Sequence, residues 1–142
     1  MVAPPFGDPM TDPDLIRIET DFAVLERDST GFVHVTAHVI DHSIEQAQVI
    51  GEFIHVAYVE SGRRTRVLAD VRAARSLSRD ARIYYQSAER VVDSIGCALL
   101  IDSGVSRVIG NFLIGLNKGP MTIRLFTSEQ DARAWLDSLS DD

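Results

Sequence analysis

Hydrophobic and polar positions follow three rhythms along this chain, and each change of rhythm marks an element. Val33, Val35, Ala37 and Val39 alternate with His34, Thr36 and His38, the two-residue period of a strand with one covered face. Residues 16–26 are strand-like too, most clearly at Phe22-Ala23-Val24-Leu25, and Asp28-Ser29-Thr30-Gly31 between them is turn chemistry. Residues 16–39 are therefore predicted to form a β-hairpin. Two segments lack alternation: residues 65–71, centred on Val67-Leu68-Ala69, and residues 95–101, which are apolar throughout. Short runs of this kind read as strands covered on both faces, the habit of parallel sheets. Residues 121–126 are predicted as the last strand.

Spacing by threes and fours marks the helices between. Ser43 and Gln46 have capping-box spacing, followed by an inner stripe of Ala47, Ile50, Ile54, Ala57 and Tyr58. Glu45, Gln48, Glu52 and His55 fall on the wetter side, and Ser61-Gly62 is the stop. Ser78 opens a second helix with Ala81, Tyr84, Tyr85, Ala88, Val91 and Val92 facing in. After Asp102-Ser103-Gly104, residues 105–116 predict a third, apolar on nearly every side. Thr127 or Ser128 caps a fourth, with Ala132, Trp135, Leu136 and Leu139 inward. The order β-β-α-β-α-β-α-β-α predicts one α/β domain over residues 15–142, its sheet mostly parallel with an antiparallel N-terminal edge strand. Residues 1–14 hold Pro4, Pro5, Pro9 and Pro13, four of the five prolines, and read as a disordered tail.

Composition changes this picture in two places. A net charge of −7 argues against a nucleic-acid partner, because neutralising phosphates needs excess Lys and Arg. The charge is uneven, however. Residues 63–90 carry eight arginines against Asp70, Asp80 and Glu89, so that segment is +5 and the remainder −12. Cys97 is the only cysteine, which rules out an internal disulfide and points to a reducing compartment. With no signal-peptide pattern and no apolar run long enough to span a bilayer, a cytoplasmic location is expected, without stable membrane insertion.

Candidate chemistry gathers where the parallel strands end, the edge at which open α/β sheets bind ligands. Asp70 and Asp102 both stand there, as cation-binding or acid–base groups or as acceptors of backbone N–H bonds at a turn. Ser76 and Ser78, at a predicted helix start and flanked by Arg72, Arg75 and Arg79, form a candidate site for an anion, a nucleotide or an acidic protein partner. Val105, Ile109 and Phe112 exceed what one buried stripe requires and would form a dimer face or line an apolar groove. His34 and His38, four residues apart on a strand, are about 13 Å from each other, too far to share a metal ion. Asp41-His42-Ser43 contains triad residue types, but as sequence neighbours. Cys97 sits in an apolar strand and reads as an inert core thiol. The glycines at 104, 110 and 115 match neither the dinucleotide nor the P-loop pattern. No cofactor and no metal is expected.

Three stretches resemble the STAS domain, the SpoIIAA-like fold of bacterial anti-sigma-factor antagonists, which is related to the lipid-binding SEC14 (CRAL-TRIO) domain. Val67-Leu68-Ala69-Asp70 is similar to that fold's strand ending in Asp. Residues 95–116 resemble the strand, Ser-Gly turn and apolar helix of uncharacterised bacterial STAS-like proteins. Phe126-Thr127-Ser128-Glu129-Gln130-Asp131-Ala132-Arg133-Ala134-Trp135-Leu136 resembles their closing signature, in which an Ala precedes Trp-Leu. The resemblance spans roughly residues 22–139 and implies a regulatory, non-enzymatic domain that binds a partner or small ligand. Its SEC14 side implies a carrier of apolar or lipid molecules instead. Antagonists carry an Asp-Ser-Ser-Gly-like motif with a phosphorylated serine, whereas this chain reads Ala74-Arg75-Ser76-Leu77-Ser78-Arg79-Asp80, without the Gly or the serine pair.

Overall fold

A computed structural model describes residues 14–38, 41–86, 93–102 and 122–140, together with positions 104 and 108. The proline-rich segment before Asp14, the inward positions Ala88, Val91 and Val92, and nearly all of the helix expected over 105–116 lie outside the described residues.

The described elements are β1 (Ile16–Glu19), β2 (Ala23–Arg27), β3 (Phe32–Ala37), β4 (Asp41–His42), α1 (Ile44–Ser61), β5 (Thr65–Asp70), β6 (Ser76–Leu77), α2 (Arg79–Gln86), β7 (Ser94–Leu100), β8 (Thr122–Phe126) and α3 (Glu129–Ser138). Six strands make one sheet in the order β1-β2-β3-β5-β7-β8. The first two pairings are antiparallel and the remaining three parallel. The two apolar runs lie side by side within it, Leu68 opposite Ala98 and Ala69 opposite Leu99. The expectation of a mostly parallel α/β sheet with an antiparallel N-terminal edge holds.

One expected strand is two. Residues 16–26 break after Glu19 because the Thr20 side chain turns the backbone: its Oγ1 accepts from the Phe22 and Ala23 N–H groups and donates to the Ala23 carbonyl. The next turn follows the sequence reading. Asp28 Oδ1 accepts from the Thr30 N–H at 2.8 Å and the Phe32 N–H at 3.2 Å, and Gly31 takes a φ of 88°, where a Cβ would be strained.

Both sheet faces are covered. α1 packs on β2, β3 and β5, and α2 packs on α1. Ala23, Leu25, Val33, Val35, Ile50, Phe53, Ala57 and Val67 form the core on that side. α3 covers β5, β7 and β8 with a second cluster, in which Leu68, Leu100 and Leu136 are fully buried. Each such leucine contributes about 1.5–3 kcal/mol by leaving water. The α1 stripe runs through Phe53, which is buried, while Ile54 and Tyr58 are only partly so. The helix is clamped between the sheet and α2, so its covered face is wider than one stripe.

The ends of α1 are fixed as the sequence implies. Ser43 and Gln46 make the reciprocal capping box, and Gly62, at a φ of 71°, donates to the Tyr58 carbonyl. Ser128 caps α3. At the far end of α3, Arg66 reaches from β5 to the Leu136 and Leu139 carbonyls at 3.1 and 2.6 Å, placing a cation at the negative end of the helix.

Candidate functional site

Parallel pairing of β3, β5, β7 and β8 brings their C-terminal ends to one edge, so the residues leaving those strands share a surface. Asp70 ends β5, and Asp102 follows β7 two residues beyond Leu100.

The Asp70 carboxylate takes three hydrogen bonds from Arg72: the backbone N–H at 3.1 Å, Nε at 3.0 Å and Nη2 at 2.7 Å. Burial by itself would raise the Asp70 carboxyl, but the side-chain and backbone bonds and the charge of Arg72 outweigh it and hold the group below its ordinary value. The Arg72 guanidinium is held above its ordinary value, chiefly by its hydrogen bonds and charge pairing with Asp70, and further by the nearby Glu129 and Asp102 carboxylates. Asp70, Arg72 and Asp102 are thus neighbours. The arginine is engaged by the chain's own carboxylate while its side chain stays half-exposed.

The connection from β5 to α2 is bound to the fold at three points. β6 pairs in parallel with β4, Asp41 opposite Ser76 and His42 opposite Leu77. The Ser76 hydroxyl donates to Asp41 Oδ1 at 2.8 Å, and the Ser78 N–H donates to the His42 carbonyl at 2.9 Å. His42 Nε2 in turn meets the Tyr85 hydroxyl of α2 at 2.8 Å. Ser78 caps α2 through the Ala81 N–H. Arg75, Ser76 and Arg79 are exposed along this fixed connection. A phosphate on Ser76 would face the Asp41 carboxylate, which opposes it.

Of the residues singled out from sequence, then, Asp70, Arg72 and Asp102 come together at the strand ends, and Arg75, Ser76, Ser78 and Arg79 line the neighbouring connection. Val105, Ile109 and Phe112 lie outside the described residues. Gly104 has a φ of 92°, and its carbonyl accepts from the Val108 N–H at 3.3 Å.

Asp41 and His42, which the sequence offers only as triad residue types, and His34, which it offers only with His38 as a metal pair, also stand near these residues. Asp41 and His42 form a strand of only two residues, too short for any periodicity. His34 faces the α3 side, next to Glu26 at 3.8 Å. Burial, with the charge of Arg133 assisting, pushes its pKa below the ordinary value, so the ring is held neutral.

Elsewhere, burial pushes the Cys97 thiol up to about 12, which keeps it protonated and unreactive at neutral pH. His55 Nδ1 lies 3.2 Å from the buried carboxylate of Asp93 at the opposite edge of the sheet. Among the described residues, no group of three or more His, Cys, Asp or Glu could hold a metal ion, and no helix is long and apolar enough to cross a membrane.

Comparison with known proteins gives a family and a fold. The model of a family described as "Domain of unknown function (DUF7793)" matches residues 31–140. No curated protein matches the chain. Among solved structures, the fold is similar to that of an uncharacterized DUF3478-family protein with a SpoIIAA-like fold from Shewanella loihica PV-4. The TM-score is 0.57 at 12% sequence identity, over 86% of this chain and 91% of that one. The fold is therefore SpoIIAA-like, as the STAS resemblance implies. At that identity the likeness extends to architecture alone.

Proposed function

For a chain that belongs to the DUF7793 family, a domain of unknown function, we propose a non-enzymatic role: a protein-interaction module that docks an acidic partner on the connection between β5 and α2. The observation that carries this reading is the display of Arg75 and Arg79 on a segment held on both sides, by the β4–β6 pairing and by the Ser78 cap. A binding surface already in its final shape loses little conformational entropy on association. The connection and the start of α2 carry Arg72, Arg75, Arg79 and Arg82 against Asp70 and Asp80, a net +2 over residues 70–82 in a chain whose net charge is −7, so an acidic partner is drawn to this face. Arg72, paired with Asp70, shapes the turn that presents the loop. The same exposed arginines would accept a small anion or nucleotide, a weaker version of the same chemistry.

Quantitative affinity capture from the native host, comparing the wild-type chain with an R75E/R79E variant, tests the reading. The expected result is at least one acidic protein enriched on wild type and lost from the variant, with the variant's far-UV circular dichroism unchanged. Identical captured sets would overturn it.

A further inference from the structure

β1 is the rim of the six-stranded sheet. It pairs with β2 on one side, and among the described residues no strand pairs with its other side. All four of its residues are exposed, including Ile16 at 39% and Ile18 at 45%. An open rim offers unpaired peptide groups to another strand, and β1 has neither a proline nor a bulge to block one.

The direction of those peptide groups follows from the turn. The Thr20 N–H donates to the Ala23 carbonyl at 2.9 Å, which makes Thr20–Ala23 a hydrogen-bonded pair. Such pairs recur at every second position in an antiparallel ladder. Ile18 and Ile16, opposite Leu25 and Arg27, therefore turn their peptide groups toward β2. Arg17 and Glu19 turn theirs outward.

We propose that β1 pairs antiparallel with β1 of a second copy of this chain, about a two-fold axis at Ile18. Two conditions select that register. Outward peptide groups must meet outward ones, which excludes shifts by a single residue because these would set Arg17 or Glu19 against an isoleucine. Charges must also match. Centred on Ile18, Arg17 faces Glu19 of the partner subunit and Glu19 faces Arg17 of the partner subunit, both as hydrogen-bonded pairs, with Ile18 against its own copy. Centring on Arg17 would oppose two guanidiniums, and centring on Glu19 two carboxylates. The Arg17–Glu19 contact of 2.9 Å within one strand is exchanged for the same contact across the axis. The rim is four residues long, so the dimer is concentration-dependent rather than obligate. This surface is separate from the β5–α2 connection and does not depend on the role proposed for it.

Sedimentation equilibrium of the full chain from micromolar to millimolar concentration tests the pairing. Wild type dimerises. R17E and E19R each place like charges across the axis and dimerise about tenfold or more weakly. The R17E/E19R double variant, and an equimolar mixture of the two single variants, regain the wild-type constant because both restore opposite charges. The register is tested separately by cysteine substitution. Ile18 and its copy form a non-hydrogen-bonded pair about 4.5 Å apart at Cα, within disulfide range. I18C therefore oxidises to a covalent dimer, and E19C, which faces residue 17, does not. A wild-type monomer at every concentration, a dimer indifferent to the charge reversals, or equal cross-linking of I18C and E19C would each overturn the proposal.

Discussion

Arg72 closes back on Asp70, two residues earlier, with two side-chain nitrogens and one backbone N–H on a single carboxylate. This pair ends β5, sets the direction of the chain toward the β4–β6 pairing and joins the central sheet to the exposed arginines beyond it. It also carries a pH signature. A carboxyl held low by folding stabilises the native state in full above its unfolded value of about 3.9 and loses that contribution as pH falls through the lower native value. Arg72 is half-exposed, so solvent screens part of the interaction. R72A is expected to cost about 1 kcal/mol at pH 6, with the difference from wild type shrinking toward zero in strong acid. Urea denaturation at a series of pH values checks this, and a cost independent of pH would contradict it.

His34 and His42 titrate in the same direction by another route. Burial lowers both pKa values, with Arg133 adding to the effect at His34, so the folded chain holds both rings neutral. The unfolded chain takes up protons first as pH drops below about 6.5, and stability therefore falls from there toward the folded values. H34Q removes one of the two contributions. Its stability should change less between pH 7 and pH 5 than that of wild type, as read by thermal melts across the range.

Gly51 and Tyr84 hold α1 and α2 together by near-contact. A Cβ at position 51 would collide with the Tyr84 ring and hydroxyl. Helix propensity alone favours alanine over glycine there by about 1 kcal/mol. Overpacking costs about 1–3 kcal/mol in a filled interior, and here it outweighs the propensity gain. G51A should therefore destabilise the wild-type chain yet stabilise a Y84A chain. A double-mutant cycle by chemical denaturation reads the change of sign.

Leu136 is fully buried against the sheet from α3, within the cluster of Leu68, Ala98 and Leu100. Truncation leaves a cavity that the flanking strands cannot close, so L136A should cost about 2–5 kcal/mol. The exposed pair R75E/R79E, by contrast, should stay within about 0.5 kcal/mol of wild type. Equilibrium unfolding of the two variants separates a residue that supports the fold from residues that decorate it.

The central sheet was legible because its strands announce themselves. The runs around Leu68 and Leu99 lack polar alternation, as strands between two helical layers must. Ser43, Ser78 and Ser128 were legible as caps because each supplies a hydroxyl just before a periodic segment. The break at Thr20 was hidden, since it depends on one threonine side chain with no glycine or proline to flag it. Phe53 was missed because α1 is covered on two sides, which a single helical stripe does not express. At the candidate site, sequence spacing placed Asp70, Arg72 and Asp102 near one another. It could not foresee that Arg72 would turn onto Asp70 or that Asp41 would take the Ser76 hydroxyl, because both depend on how strand exits lie in space.

Site-specific photo-cross-linking in the native host tests the docking surface most directly. A photoreactive amino acid replaces either Arg75, on the β5–α2 connection, or Val59, 62% exposed on α1. The account predicts a discrete cross-linked partner from position 75 and none from position 59. A partner captured from position 59 alone, or equally from both, would contradict it.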